Sequence, residues 1–561
     1  MLSLRFTTLL VLLSLSLPAC TEAQSVTAGK VYFQTNCALC HDVSVDKATF
    51  QGPPLFGVAG RKIGSTKTFS YGDALKSAGV KGQRWTDAKL DAFLKDPQNL
   101  MPGTQMPVKV EDDKDRKSVI AYLKSLNTTD NSPIKDAITT SPKAVSDALD
   151  WHKDAPGVVH RVSVADLPKP YDTPSAGNSP TFLAPGDSRL PTVPDGFTIT
   201  VFARDLDGPR LLRTAPNGDL FVVESGRGRI VVFKHTPDGL APQPLTFAEG
   251  LSQPFGVAFY PATHPKYLYV ANIGSVVRFP YTDGDTTARE APQTLVPHLS
   301  STGGHSTRDI AFSRDGKVMY VSVGSASNVA EGMSKVPAGG IAAWQSAHGG
   351  GAAWGGEEGR ALVLSFDPDG GHRQVFATGI RNCVGLGISD DALYCTTNER
   401  DGLGDNLVPD YFTPVASGQF FGWPWYYLGD HEDPRHKGER RDLAGHITVP
   451  DVLFGSHSAP LGFSFYQSPT GAAHAFPADF QGDAFIALHG SWNRAQRTGS
   501  KLVRVRLRDG QPTGEYEDFM TGLIVDDKHV SGRPVGVAVG LDGALYVSDD
   551  AGNRIWRIVP K

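Results

Sequence analysis

The sequence predicts a multidomain protein in which a small all-α domain precedes an all-β six-bladed propeller. The chain has 561 residues, which is more than one ordinary domain contains. It holds 61 glycines and 40 prolines, which indicates many tight turns and a β-rich body. A turn followed by a short apolar strand recurs six times in its second part. A net charge of −5 gives no sign of a nucleic-acid partner.

The first residues predict an export signal over residues 1–24. Arg5 precedes an apolar run from Leu9 to Leu17, which is too short to cross a bilayer. The run ends in Leu17-Pro18-Ala19-Cys20, a sequence that resembles a bacterial lipoprotein cleavage box. Cys20 is therefore either a lipid anchor to the membrane or is removed by ordinary cleavage near Ala23. Both alternatives place the mature chain in the periplasm or elsewhere outside the cytoplasm.

Residues 25–127 are expected to form the all-α domain, which begins with Cys37-Ala-Leu-Cys-His41. Two thiols three positions apart, followed at once by a histidine, are typical of the attachment site of one c-type haem. Cys37 and Cys40 would bond the porphyrin, and His41 would be the proximal ligand of the iron. A disulfide or a zinc half-site is the alternative interpretation of the two thiols.

A thioether is a good sixth ligand for such an iron because it favours the reduced state. Met106, in Pro102-Gly-Thr-Gln-Met106, is the candidate, and Met101 is its rival.

The whole of this domain resembles the class I cytochromes c. Pro53 matches the proline that supports the proximal histidine. Residues that match contacts to a haem propionate are Arg61, Tyr71 and Trp85. Leu75 and Phe93 depart from the mitochondrial-type pattern near the methionine. The resemblance implies an electron carrier.

Residues 128–190 predict an extended connector, because prolines, serines, threonines and aspartates dominate there. Val158–Val164 is apolar enough to lie on a domain surface. His152 and His160 are expected to be surface histidines.

The propeller is predicted for residues 191–561, because six strand–turn–strand–strand units follow one another about 50 residues apart, near the length of a propeller blade. An early strand, Phe197–Val201, is expected to close the ring beside the last, Arg554–Ile558. Insertions before the fourth and fifth units are where we expect the active site. Cys383 and Cys395 flank a short hairpin there, and they are either a disulfide or two buried thiols.

Several motifs of this domain resemble the sorbosone and soluble glucose dehydrogenase family, which uses pyrroloquinoline quinone (PQQ). They are also similar to those of fungal quinone-dependent pyranose dehydrogenases, which fuse a comparable propeller to a cytochrome. The most distinctive motifs are Gly304-His-Ser-Thr-Arg-Asp-Ile-Ala-Phe312, Gly379-Ile-Arg-Asn-Cys-Val-Gly385, Asn398-Glu-Arg-Asp-Gly-Leu-Gly-Asp405, His489-Gly-Ser-Trp-Asn-Arg494 and Gly532-Arg-Pro-Val-Gly536.

The resemblance implies a role for individual residues. His305 would be the base that takes the hydroxyl proton, the alternative being a structural loop histidine. The expected ligands of the quinone, which carries three carboxylates, are Arg381, Asn382, Arg494 and Arg533. Arg494 stands where the glucose enzymes have a lysine, and Val535 replaces the second of two cofactor arginines. For each arginine a surface ion pair is the alternative.

A calcium ion would be held by the backbone carbonyls of Arg400 and Asp401, since calcium prefers oxygen ligands. Asp401 and Asp405 also resemble a calcium loop, for which an ordinary acidic turn is the alternative.

The function that follows is an exported quinohaemoprotein dehydrogenase that oxidises an aldose, a ketoaldose or a related aldehyde. Electrons would pass through haem c to a cytochrome or a quinone-linked respiratory acceptor. One alternative is a hydrolytic, lactonase-like propeller, which needs side-chain carboxylates converging on a central metal. The other is a haem c electron carrier whose non-catalytic propeller docks it to a partner.

Overall fold

The computed structural model divides the chain into two compact units, residues 1–134 and 135–561. The residues described are 26, 28–30, 32–33, 37, 41, 43, 52–67, 69, 71–104, 106, 108–126, 149–184, 190–236, 239 and 241–561. The expected signal and Cys20 lie outside these residues. Within them, every helix is too short or too polar to traverse a bilayer.

The first unit is helical, as predicted. Its helices include Asp73–Val80, Asp87–Lys95, Pro97–Leu100 and Asp113–Ser125. Short polar side chains start three of them. Thr86 accepts from the Lys89 amide, Asp96 from the Asn99 amide, and Asp112 from the amides of the first turn. The apolar faces of these helices meet in one core, which includes Phe33, Ile63, Trp85, Leu90 and Val119.

The second unit is a six-bladed β-propeller within the described residues, which confirms the predicted fold class. Each blade is a four-stranded antiparallel meander. Blade I has strands Pro209–Thr214, Leu220–Glu224, Arg229–Phe233 and Leu245–Ala248; blade II has Gly256–Tyr260, Tyr267–Asn272, Ser275–Pro280 and Gln293–Val296; blade III has Ile310–Phe312, Met319–Val323, Leu362–Phe366 and Gln374–Thr378. Blade IV has Cys383–Ser389, Ala392–Thr397, Tyr411–Val415 and Val452–Leu453; blade V has Pro460–Phe465, Ala484–Leu488, Lys501–Val505 and Tyr516–Met520; blade VI has Pro534–Val539, Leu545–Asp549, Arg554–Pro560 and Phe197–Ala203.

The ring closes where the sequence predicts it. Phe197–Ala203 pairs antiparallel with Arg554–Pro560, so blade VI is built from both ends of the domain. The first strand of each blade packs against the first strands of its two neighbours, which makes these strands the inner wall of the ring. Their alternating small and branched side chains, such as Leu211, Val257, Val384 and Val535, are buried together.

The connector is attached to blade V. Val159–His160 pairs with Glu517 and Tyr516 and adds a fifth strand to that blade. The surface position predicted for His160 is wrong, because its ring is 5% exposed and lies 3.1 Å from the buried carboxylate of Asp518. The reason is strand addition, which turns alternate side chains of the connector toward the blade.

Cys383 and Cys395 form a disulfide between the first two strands of blade IV. The two cysteines are not directly opposite in the register. Cys383 pairs with Thr397, Cys395 pairs with Leu386, and a bulge lies between residues 383 and 385. The bulge brings their Cα atoms to 5.8 Å, within the range that a disulfide can bridge.

Candidate functional site

The candidate site is built from one face of the propeller, which we call the upper face. In an antiparallel meander, the loop that enters the first strand and the loop between the second and third strands emerge on the same side. On blades III to VI the upper face includes the loops 300–309, 324–361, 379–382, 398–410, 455–459, 489–500, 531–533 and 550–553. All the residues predicted to act in the propeller lie in these loops, so the topology brings them to one end of the ring.

His305 precedes the first strand of blade III and is held through one ring nitrogen. Its Nδ1 atom lies 2.8 Å from the carbonyl oxygen of Ser325 and 3.0 Å from the Ser325 hydroxyl. That hydroxyl donates its proton to the Ser327 carbonyl at 2.6 Å, so both partners of Nδ1 are acceptors. His305 must therefore carry its proton on Nδ1, which leaves Nε2 as a proton acceptor.

Burial lowers the pKa of His305 to about 3, and the neighbouring charge of Arg381 adds to this effect. The imidazole is thus neutral throughout the physiological range. A neutral ring with an available Nε2 lone pair has the properties that a general base requires.

Arg381 is buried and ties two loops together. It donates to the carbonyls of Asn328 at 3.0 Å and Glu399 at 2.7 Å, and it pairs with the Asp401 carboxylate at 3.2 Å. The carbonyl of Arg381 in turn accepts from the Ser325 amide at 2.7 Å. Arg381 therefore belongs to the network around His305, and the surface ion pair that was its alternative is wrong.

Asp401 joins Arg381 to a second histidine, His457. The ring of His457 has Asp401 Oδ1 at 3.2 Å from Nδ1 and the Gly404 carbonyl at 3.1 Å from Nε2, and the Asn493 amide nitrogen also lies 3.1 Å from Nδ1. Hydrogen bonding and the negative charge of Asp401 outweigh burial and raise the pKa of His457. Asn493 donates a further short hydrogen bond to Asp401.

Arg494 and Asn382 carry buried polar atoms that have no hydrogen-bond partner among the described residues. Arg494 donates from Nη2 to Asn406 Oδ1 at 2.9 Å, but its Nε and Nη1 atoms have no acceptor. The side-chain oxygen of Asn382 also lacks a donor. Buried polar groups are normally satisfied. Unsatisfied guanidinium donors beside the Arg381 network fit a ligand that carries carboxylates, as the predicted quinone does.

Arg533 enters the first strand of blade VI and holds a third histidine. It donates to the carbonyls of His489 at 3.1 Å and Gly490 at 2.8 Å. The ring of His489 lies 2.9 Å from Asp550, which also pairs with Arg210 at 2.6 Å. Burial and the charge of Arg533 lower the pKa of His489 to about 4.

The segment predicted to hold calcium is already largely hydrogen-bonded. The Asp401 carbonyl accepts from the Asn328 amide at 2.8 Å, and the Asp401 carboxylate faces Arg381 and His457. Arg400 turns its side chain to Asp433 at 3.1 Å, and its carbonyl has no hydrogen-bond donor within the described residues. Asp405 accepts from the Ala495 amide. The donors around Asp401 fit an anionic ligand better than they fit a cation. Within the described residues, the Arg400 carbonyl and the buried Oδ1 atom of Asp405, which has no hydrogen-bond partner, remain open to calcium.

In the first unit, the proposed haem ligands have a supporting structure. The Nδ1 atom of His41 lies 2.8 Å from the Pro53 carbonyl, which leaves Nε2 for iron, as the proline match predicts. Met101 is buried in the core, whereas Met106 lies at its edge, and this favours Met106 as the sixth ligand. Cys37 is buried, and Cys40 lies outside the described residues.

The sequence did not single out several residues of the site. These are Ser325, Glu357, Arg360, His457, Asn493 and Asp550. Asn493 stands inside a quoted motif, but its contacts and those of His457 cross from one blade to the next, and no local spacing encodes them.

A lactonase-like metal centre finds no support in the described residues. The cluster of three potential metal-ligating side chains found there is Asp154, His160 and Asp518. It lies under the connector on blade V, and the ammonium group of Lys501 sits 2.7 Å from both carboxylates.

Two family models match the chain. A model described as TrAA12-like matches residues 191–409 and 432–561, and a cytochrome c model matches residues 26–127. A cytochrome c of Gibberella zeae is 42% identical over 97 residues, which cover 17% of this chain and 89% of the relative.

Two solved structures share the propeller fold. The holo form of the pyranose dehydrogenase PQQ domain from Coprinopsis cinerea has a TM-score of 0.54 and 21% identity, and the match covers 67% of this chain and 98% of that one. The calcium structure of the Trichoderma reesei family AA12 enzyme has a TM-score of 0.53 and 17% identity, and the match covers 66% and 97%. Together with the family models, they confirm both resemblances found in the sequence.

Proposed function

The chain belongs to the TrAA12-like family and carries a cytochrome c domain before it, and from this premise we propose an exported quinohaemoprotein dehydrogenase. The propeller oxidises an aldose, a ketoaldose or a related aldehyde with PQQ. The haem c takes the electrons and passes them to a respiratory acceptor.

One observation carries the proposal: His305 is a neutral imidazole with its proton fixed on Nδ1, set beside a group of buried guanidinium ions. Oxidation of a hydroxyl or hydrated aldehyde requires a base for the hydroxyl proton and stabilisation of the negative charge that the acceptor gains. The Nε2 atom of His305 supplies the base. Arg381, Arg494 and Arg533 supply positive charge, and the Nε and Nη1 atoms of Arg494 supply hydrogen-bond donors.

When bound, PQQ would supply the acceptor for the two electrons. The residues that would hold it are Arg381, Asn382, Arg494 and Arg533, and the unsatisfied donors of Arg494 support this assignment. The Asp401 carboxylate pairs with Arg381 and, by raising the pKa of His457, favours the protonated form of that ring.

Calcium and export complete the proposal. The calcium structure of the T. reesei neighbour and the open carbonyl of Arg400 support a calcium ion near residue 400. Export is supported by the Cys37–His41 motif together with the apolar run of residues 9–17. A lipid on Cys20 would attach the exported protein to the membrane.

The test is reconstitution of the haem-loaded, quinone-free protein. PQQ is added with and without calcium, with a panel of aldoses and ketoaldehydes, and reduction of an artificial dye is followed. Dye reduction that needs both PQQ and a substrate supports the proposal. Absence of reduction with every substrate contradicts it. Equal rates with and without calcium, after treatment with a chelator, contradict the calcium assignment alone.

A further inference from the structure

Arg360 is a buried arginine at the end of the blade III insertion. Its five hydrogen bonds go to the loop that carries His305 and to the segment of Gly324 and Ser325, which contacts the His305 ring. Its side chain is 3% exposed. Its donors reach the carbonyl oxygens of Gly324 at 2.9 Å, Ser300 at 2.9 Å, Thr302 at 2.6 Å, His305 at 2.8 Å and Ser325 at 3.1 Å. One planar guanidinium thus fixes the backbone of His305 and the carbonyl that accepts from the His305 ring.

This guanidinium has no carboxylate within ion-pair distance among the described residues. Arg308, packed beside it, also donates only to carbonyls, those of Ser300, His305 and Thr307. Burial of a cation without a paired anion has a high desolvation cost. An apolar residue would fill the same space without that cost. The five hydrogen-bond donors of the guanidinium, rather than its charge, therefore explain an arginine at this position.

Glu357, one turn before Arg360, holds the other end of the same loop. Its Oε2 atom accepts from the Ala326 amide at 2.7 Å, and its Oε1 atom accepts a short hydrogen bond from the Ser327 hydroxyl. The Ser327 carbonyl is the group that accepts the Ser325 proton. Arg360 therefore contacts the Ser325 carbonyl that faces the His305 ring, and Glu357 holds Ala326 and Ser327, the two residues that follow Ser325.

We propose that Arg360, assisted by Glu357, is a positioning residue that keeps His305 in the Nδ1–H form with Nε2 open to the substrate. The inference rests on the proposed function of His305 as base. Lysine retains the charge but has three donors on one atom, so it cannot hold five carbonyls that lie on two loops.

The tautomer is tested directly in the haem-loaded, quinone-free protein labelled with ¹⁵N-histidine. The resonance of His305 is identified by its absence from His305→Gln. In the wild type we expect a protonated Nδ1 and an unprotonated Nε2. In Arg360→Lys and Arg360→Gln we expect a mixture of the two neutral tautomers, together with a kcat that falls by up to about 100-fold, the scale of a misplaced catalytic group. KM and the Kd for PQQ should change far less than kcat.

Arg504→Lys is the matched control, because Arg504 is equally buried and pairs with Asp483 at 2.6 Å, away from the upper face. It should lower stability without changing the His305 resonance or kcat. An unchanged tautomer in both Arg360 variants overturns the proposal, and so does an equal loss of kcat in Arg504→Lys. If the Arg360 variants do not fold, Glu357→Gln decides: a tautomer shift supports the proposal and no shift overturns it. The His305 resonance is measured without turnover, so the tautomer can be determined even if the dehydrogenase assay shows no activity.

Discussion

The Nδ1 atom of His305 donates a hydrogen bond to Ser325, with the carbonyl oxygen at 2.8 Å and the hydroxyl at 3.0 Å, and not to a carboxylate. His489, on the same face of the ring, has the opposite arrangement, with Asp550 at 2.9 Å from its Nε2 atom. A carboxylate partner favours an imidazolium, but burial and the charge of Arg533 outweigh Asp550 and lower the pKa of His489 to about 4. A carbonyl partner orients the ring without adding a negative charge. His305 is therefore arranged to accept a proton from a neutral starting state.

Replacement of His305 by glutamine should remove the base and keep most of the volume. We expect substrate-dependent dye reduction to fall by about 10²–10⁴-fold, the range for loss of a general base, while the Kd for PQQ changes little. His152→Gln is the control, because His152 is an exposed histidine paired with Asp150. A His305 variant with wild-type kcat contradicts the assignment.

The pH dependence of kcat/KM should reflect the low pKa of His305. Burial and Arg381 lower this pKa to about 3, so the base stays unprotonated on acidification through the ordinary histidine range. The acid limb of the profile should therefore lie below pH 6.5. An acid limb at or above pH 6.5 that is lost in His305→Gln would show that His305 has an ordinary or raised pKa.

Replacement of Met106 by alanine should separate the two halves of the reaction. Loss of a thioether ligand lowers the haem potential, since the thioether favours reduced iron. Dye reduction by the propeller should be unchanged, whereas haem reduction by substrate should slow. Met101→Leu is the control, because Met101 is a buried core residue. If Met101→Leu, and not Met106→Ala, lowers the potential, the ligand assignment is wrong.

Lys501 should stabilise the propeller by neutralising two buried carboxylates. Its ammonium lies 2.7 Å from Asp154 and from Asp518, and it anchors the connector to blade V. Lys501→Met leaves Asp154 without its cation and Asp518 with His160 alone, which should cost about 3–5 kcal/mol of unfolding free energy, as breaking a buried ion pair does. Lys335→Met, at an exposed position, should be neutral in the same denaturant titration. A loss of unfolding free energy below about 1 kcal/mol would contradict this prediction, because it would show that Lys501 contributes no more than an exposed surface ion pair.

The sequence was sufficient for the architecture because blades repeat locally. Each turn followed by an apolar strand marks one blade, and the pairing of Phe197–Ala203 with Arg554–Pro560 follows from the need to hide sheet edges. The upper face could be anticipated for the same reason, since insertions in a repeated unit fall on loops.

Residue contacts across blades could not be predicted in this way. Arg360 reaches carbonyls 35 to 60 positions away, and His457 meets Asp401 across 56 positions. His160 was misjudged because its burial depends on pairing with a strand more than 350 positions later, which no local pattern encodes.

Rapid mixing of the reconstituted, fully oxidised protein with its best aldose tests the central claim most directly, with haem absorbance as the signal. We expect haem reduction in a single turnover that requires PQQ, slows strongly in His305→Gln and is independent of protein concentration, because donor and acceptor share one chain. Haem that stays oxidised while dye is reduced, or haem reduction that persists without PQQ, would contradict the account.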